Sequence, residues 1–176
     1  MADGSTPEFD PQAFVASMPP IPQWDAPTIH VGMDETPWLE IAPGIEGKPL
    51  HFDLNQGMYV HLNRFQPGAK VMKHYHSGQV MGVTMQGSWW YAEDPEAVNR
   101  PGSYLFEPAQ CTHTLIIPEK ADEPTVVWFA LWGCNIQIKD DDSLDMVVDA
   151  RGMLMYYRML AQMQGASLDK VFVAGE

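Results

Sequence analysis

The chain has 176 residues, enough for one domain with its own core and too few to require two. Hydrophobic residues make up 45% and charged residues 19%, which excludes a disordered chain. The formal net charge of -13 argues against nucleic acid and anionic membrane surfaces as partners.

Residues 1–27 carry Pro7, Pro11, Pro19, Pro20, Pro22 and Pro27, which exclude a long helix or a central strand. A disordered tail and an extended arm both fit this segment. Phe9, Phe14, Val15, Met18, Ile21 and Trp24 are too apolar for a solvated linker and suit an arm laid on the same domain or on a second subunit.

From Thr28 to Lys139 the text is strand-like, with runs of Val, Ile, Tyr, Trp, Phe and Thr cut by turn residues. Strands are expected at Thr28–Val31, Trp38–Ile41, Lys48–Leu54, Met58–Gln66, Gln79–Met85, Ser88–Glu93, Ser103–Glu107, Thr112–Ile117, Thr125–Trp132 and Asn135–Lys139. Another leaves the Pro67-Gly68 turn and carries His74 and His76. Many short strands at this spacing predict an all-β sandwich or barrel. The run Val126–Trp132 is apolar on both faces, so something outside the barrel is expected to cover it. A homodimer or homotetramer is one expected source of that cover.

One helix is expected over residues 149–164. Asp149 can cap it, Met153, Tyr156, Tyr157, Leu160 and Met163 share a face, and Gly165 stands where a helix stops. Residues 28–176 then form a single domain. Cys111 and Cys134 are too few for a disulfide framework. With no apolar run long enough to span a bilayer and no signal-peptide pattern, the expected location is the cytoplasm.

The chain has six histidines, of which three carry a pattern. His74 and His76 are two apart, so on a strand they project from one face and can meet one ion. His113 opens the apolar run Thr114–Ile117 and alternates with Leu115, so it is expected to face inward from a different strand on the opposite part of the sheet. Neutral imidazoles suit iron, zinc, copper and nickel, and three protein ligands leave coordination positions open.

The stretch Gly68–Gln79 with Gly87, and the stretch Gly102–His113 with Pro108, resemble the two cupin motifs in order and separation. The small residue after Pro108 is Ala109, one position early. The carboxylate of the first motif is absent, and Gln79 lies nearest its place, either beside the ion or loosely on it. Glu93 is the nearest alternative carboxylate. Both an approach to the metal and an exposed position before Asp94-Pro95 fit it.

Beyond the general cupin pattern, Gly87–Glu93, Pro101–Pro108 and Thr112–Leu115 resemble 2,4'-dihydroxyacetophenone dioxygenase-like cupins of the ChrR type. The resemblance implies a jelly-roll β-barrel and a metal held by His74, His76 and His113. The implied ion is Fe(2+), with zinc, nickel or manganese as alternatives. The implied reaction uses O2 to cleave a C–C bond beside a ketone, in an aryl α-hydroxyketone or a β-diketone. Gln79 and Glu93 are the candidate catalytic residues. Arg64, Trp89, Tyr91, Phe106, Leu115, Phe129 and Leu131 are the candidate substrate pocket, with a structural ion pair as the other reading of Arg64. An isomerase or lyase with another metal, and a metal-binding sensor without turnover, are the competing functions.

Overall fold

The structure is a computed structural model that describes residues 9–18 and 28–176. The rest of the N-terminal arm lies outside the described residues. In the described part of the arm, Pro11–Ser17 forms a short helix (α1). The cause is local: Asp10 caps it by accepting from the N–H groups of Gln12 and Ala13, and Pro11 occupies the first turn, where its missing N–H costs nothing.

Among the described residues, thirteen strands build two facing sheets. They are β1 (Leu39–Ala42), β2 (Ile45–Asp53), β3 (Met58–Phe65), β4 (Lys70–His76), β5 (Val80–Gln86), β6 (Trp89–Tyr91), β7 (Asp94–Asn99), β8 (Tyr104–Glu107), β9 (His113–Ile116), β10 (Thr125–Trp132), β11 (Asn135–Ile138), β12 (Leu144–Val148) and β13 (Phe172–Ala174). One sheet runs β1-β2-β3-β10-β5-β8, with β13 parallel to β2; the other runs β12-β11-β4-β9-β6-β7. The sheets are two separate hydrogen-bonded units, so the jelly roll is an open sandwich. Residues 28–31, expected as a strand, pair with nothing among the described residues, and Thr28–His30 are exposed.

The pleat sends alternate residues into the space between the sheets. From β3 these are Tyr59, His61, Asn63 and Phe65, all buried. From β10 they include Val127, Phe129 and Leu131. Trp89 fills the centre with no exposed surface, and its indole N–H donates to Thr84.

Helix α2 (Ala150–Gln164) starts at Asp149, whose carboxylate accepts from Gly152 N–H, and ends at Gly165 in the left-handed conformation. Its buried face is Leu154, Tyr157, Leu160 and Ala161. Met163, expected on that face, is 74% exposed. The helix packs on β1 and β2, with Tyr156 donating to the Ile41 carbonyl and Gln164 bonding both backbone groups of Glu40. No helix among the described residues is long and apolar enough to cross a membrane. Cys111 and Cys134 are free thiols.

Candidate metal centre

His74 and His76 occupy the end of β4, where the two-residue period puts both rings on the inner face. His113 opens β9, the neighbouring strand of the same sheet, and stands directly opposite His74 in the antiparallel register. The third imidazole therefore comes from the adjacent strand, not from across the barrel. One nitrogen from each ring lies within 4.8 Å of the others, and all three residues are buried.

The rings are held in different ways. The Met72 carbonyl lies 2.7 Å from His74 Nδ1, so that nitrogen carries the proton and Nε2 is left as a ligand. Tyr91 stacks on His113 at 4.2 Å between ring centroids, and His74 meets His113 edge to face at 4.5 Å. Among the described residues the Nδ1 atoms of His76 and His113 have no hydrogen-bond partner, so packing fixes those two rings. Burial pushes the pKa of His76 and of His113 down to about 3, and the crowding of the rings adds to the effect. Neutral imidazole is the form that binds a metal.

Glu107, on β8 of the opposite sheet, completes the cluster. It is 4% exposed, and its Oε2 lies 3.5 Å from His113 Nε2 and 3.8 Å from His76 Nε2. The Tyr91 hydroxyl donates to Oε1, but Oε2 is sealed and receives no hydrogen bond from the described residues. Burial raises the Glu107 pKa to about 7, and the Tyr91 hydrogen bond pulls it down. Donor atoms about 2.1 Å from one ion lie about 3 to 3.5 Å apart. A partnerless carboxylate oxygen at nearly that spacing from two neutral imidazoles fits a divalent cation.

This cluster lies on the wall of a cavity of about 840 Å³. Tyr91, Leu115, Phe129 and Leu131 border it, together with Tyr59, His61, Asn63, Val80, Ile41, Ile45, Met153 and Tyr156. Trp89, Arg64 and Phe106 do not. Trp89 is sealed in the core. Arg64 points outward from β3, paired through Nε and Nη2 with Glu46 at 2.6 Å and lying over Trp38 at 4.4 Å. Phe106 is on the outer face of β8 and 50% exposed. Gln79 precedes β5 and contributes its carbonyl to Trp132 N–H, with its side chain outside the cavity wall. Glu93 lies past the end of β6 and is spent on Thr114 N–H at 2.9 Å.

A sandwich of two mainly antiparallel sheets, with three inward histidines whose donor atoms fit one metal ion and a carboxylate buried beside them, defines a cupin. More particularly, the profile of the ChrR cupin-like domain matches residues 26–133, over half of the chain, and the chain belongs to that family. A protein of unknown function with a cupin-like fold from Ralstonia eutropha JMP134 is 27% identical, with 89% of this chain and 96% of that one covered and a TM-score of 0.78. An RmlC-like cupin from the same organism is 25% identical, with 81% and 95% covered and a TM-score of 0.72. An acetylacetone dioxygenase from Acinetobacter johnsonii shares the fold at 14% identity, with 81% and 99% covered and a TM-score of 0.69. Among curated proteins, none matches this chain.

Proposed function

We propose that this chain is a non-haem iron enzyme that uses O2 to cleave the C–C bond beside a ketone in a small, mostly apolar substrate. The observation that carries the reading is the placement of three inward histidines, with the Glu107 carboxylate beside two of them, on the wall of a large, mainly apolar cavity. A closed structural site has no use for such a space, whereas a substrate does. His74, His76 and His113 would hold the ion, with Glu107 as a fourth ligand or as an acceptor for a bound water. A ferrous ion there supplies positive charge toward two substrate oxygens and the redox chemistry of O2. Tyr91 keeps the Glu107 carboxylate oriented, and Phe129, Leu131 and Leu115 exclude water from the reacting carbons. An α-hydroxyketone and O2 would give two carboxylic acids, which account for all four oxygen atoms.

A second reading, a metal-binding sensor without turnover, draws support from Glu107, because three imidazoles and a carboxylate alone can close a tetrahedral site. Anaerobically purified protein loaded with each candidate metal separates the two. Oxygen uptake with aryl α-hydroxyketones or β-diketones, only with ferrous ion, is the expected result. Tight zinc binding with no uptake for any ketone favours the sensor. His113→Ala is expected to lose most of its bound metal while keeping a β-rich far-ultraviolet spectrum; unchanged metal content would remove that residue from the site.

A further inference from the structure

His61 stands in the middle of β3, and the pleat turns its ring toward the cavity beside Tyr59 and Phe129. Its Nδ1 lies 2.8 Å from the hydroxyl of Tyr157. Tyr157 comes from α2, outside the sandwich, and its side chain is fully buried. It reaches β3 by passing Gly47 on β2, where a Cβ would collide with the hydroxyl.

That hydroxyl has no other hydrogen-bond partner among the described residues. A sealed O–H must place its proton on an acceptor, and Nδ1 is the one within reach. Donation in the other direction, from Nδ1–H to the phenol oxygen, would strand the hydroxyl proton in the core. Tyr157 is therefore the donor, and the ring proton of the neutral imidazole resides on Nε2. Burial keeps the ring neutral, with its pKa down to about 3. Nε2 itself meets no protein acceptor among the described residues and is left to the cavity.

We propose that His61 is a preset hydrogen-bond donor for an anionic substrate oxygen, an enolate of a diketone or hydroxyketone, and that Tyr157 is the positioning residue that fixes its tautomer. The proposal deepens the oxygenase reading and rests on it for the substrate class. An N–H fixed in an apolar wall binds a charged oxygen without reorganising, and a hydrogen bond to a charged group outweighs one between neutral groups. A cation alone would grip many anions. The added donor on the opposite sheet selects one with a second oxygen pointing away from the metal-binding cluster.

The test uses the full chain loaded with zinc, which is redox-inert and permits no turnover, and pentane-2,4-dione as the probe. His61→Phe is expected to weaken binding of the dione about tenfold or more with metal content unchanged. His61→Gln, whose amide N–H can stand near Nε2, is expected to recover part of that loss. Nitrogen-15 spectra of the wild-type ring are expected to show the proton on Nε2, and Tyr157→Phe to bring in the other tautomer. A wild-type ring protonated on Nδ1, no binding of the dione by the wild type, or equal affinity in wild type and His61→Phe would each overturn the assignment. Oxygen uptake by the ferrous protein is measured separately. Its absence, with His61-dependent binding intact, would defeat the oxygenase reading and leave the donor standing.

Discussion

Glu107 brings a carboxylate oxygen into a space bounded by two imidazole nitrogens, where no N–H or O–H of the described residues hydrogen-bonds to it. A buried carboxylate with one oxygen unpartnered is costly to ionise, and a cation removes the cost. Glu107→Gln is therefore expected to weaken metal binding by about 10- to 100-fold, read by competition with a chelator. Tyr91→Phe, which frees only the far oxygen, should have a smaller effect in the same direction. Equal affinity in wild type and Glu107→Gln would place the carboxylate outside the metal's surroundings. The histidines are legible in the sequence because His-x-His at strand period is a distinctive pattern. Glu107 is not, because polarity misleads on β8: Tyr104 and Phe106 face out, while Leu105 and Glu107 face in. A reader who sends the aromatic ring inward chooses Phe106 and loses the acid. The same parity decides β3, where outward Arg64 attracts notice and inward His61 does not.

At the scale of elements, the strands that the sequence hides are edges. β7 and β12 close the two ends of the six-stranded sheet, and most of their residues are exposed and none is buried, so no alternation marks them. Pro95 lies within β7, and an edge strand tolerates it because one side of its backbone has no neighbour to bond. Helix α2 is legible from its caps, but its seat is not, because the seat depends on a missing side chain elsewhere. Gly47 is buried under the Tyr157 hydroxyl, so Gly47→Ala should force the helix or the ring away. The expected cost is about 1 to 3 kcal/mol in urea unfolding, the range for an overfilled core. In a Tyr157→Phe background the same change should cost less, since the nearest colliding atom is gone and only the ring carbons at 2.9 and 3.0 Å still press on the new methyl group. Fully additive effects would mean that the two sites are not coupled through that contact.

At the scale of the whole molecule, the family match stops at residue 133, yet the helix beyond it reaches the cavity through Tyr157 and His61. This linkage makes the stability of the entire sandwich sensitive to one buried ring. His61 has a folded pKa of about 3, well below the value of about 6.5 expected in the unfolded chain. The titratable groups around it are Tyr157 from α2, Tyr59 from β3 and His76 from β4. Both tyrosines are pushed upward by burial and stay neutral at acid pH. Below pH 6.5 the unfolded chain takes up a proton that the folded chain refuses. The stability owed to neutral His61 is thus complete above pH 6.5 and is lost as pH falls toward 3. One such proton corresponds to about 1.4 kcal/mol per pH unit. His61→Phe removes that proton while leaving the surface carboxylates and the other histidines in place. The variant should therefore gain on the wild type as pH is lowered from 7 to 5, with urea midpoints that converge or cross. Parallel midpoints across that range would mean that His61 titrates alike in both states, and that its ring is not sealed in the neutral form.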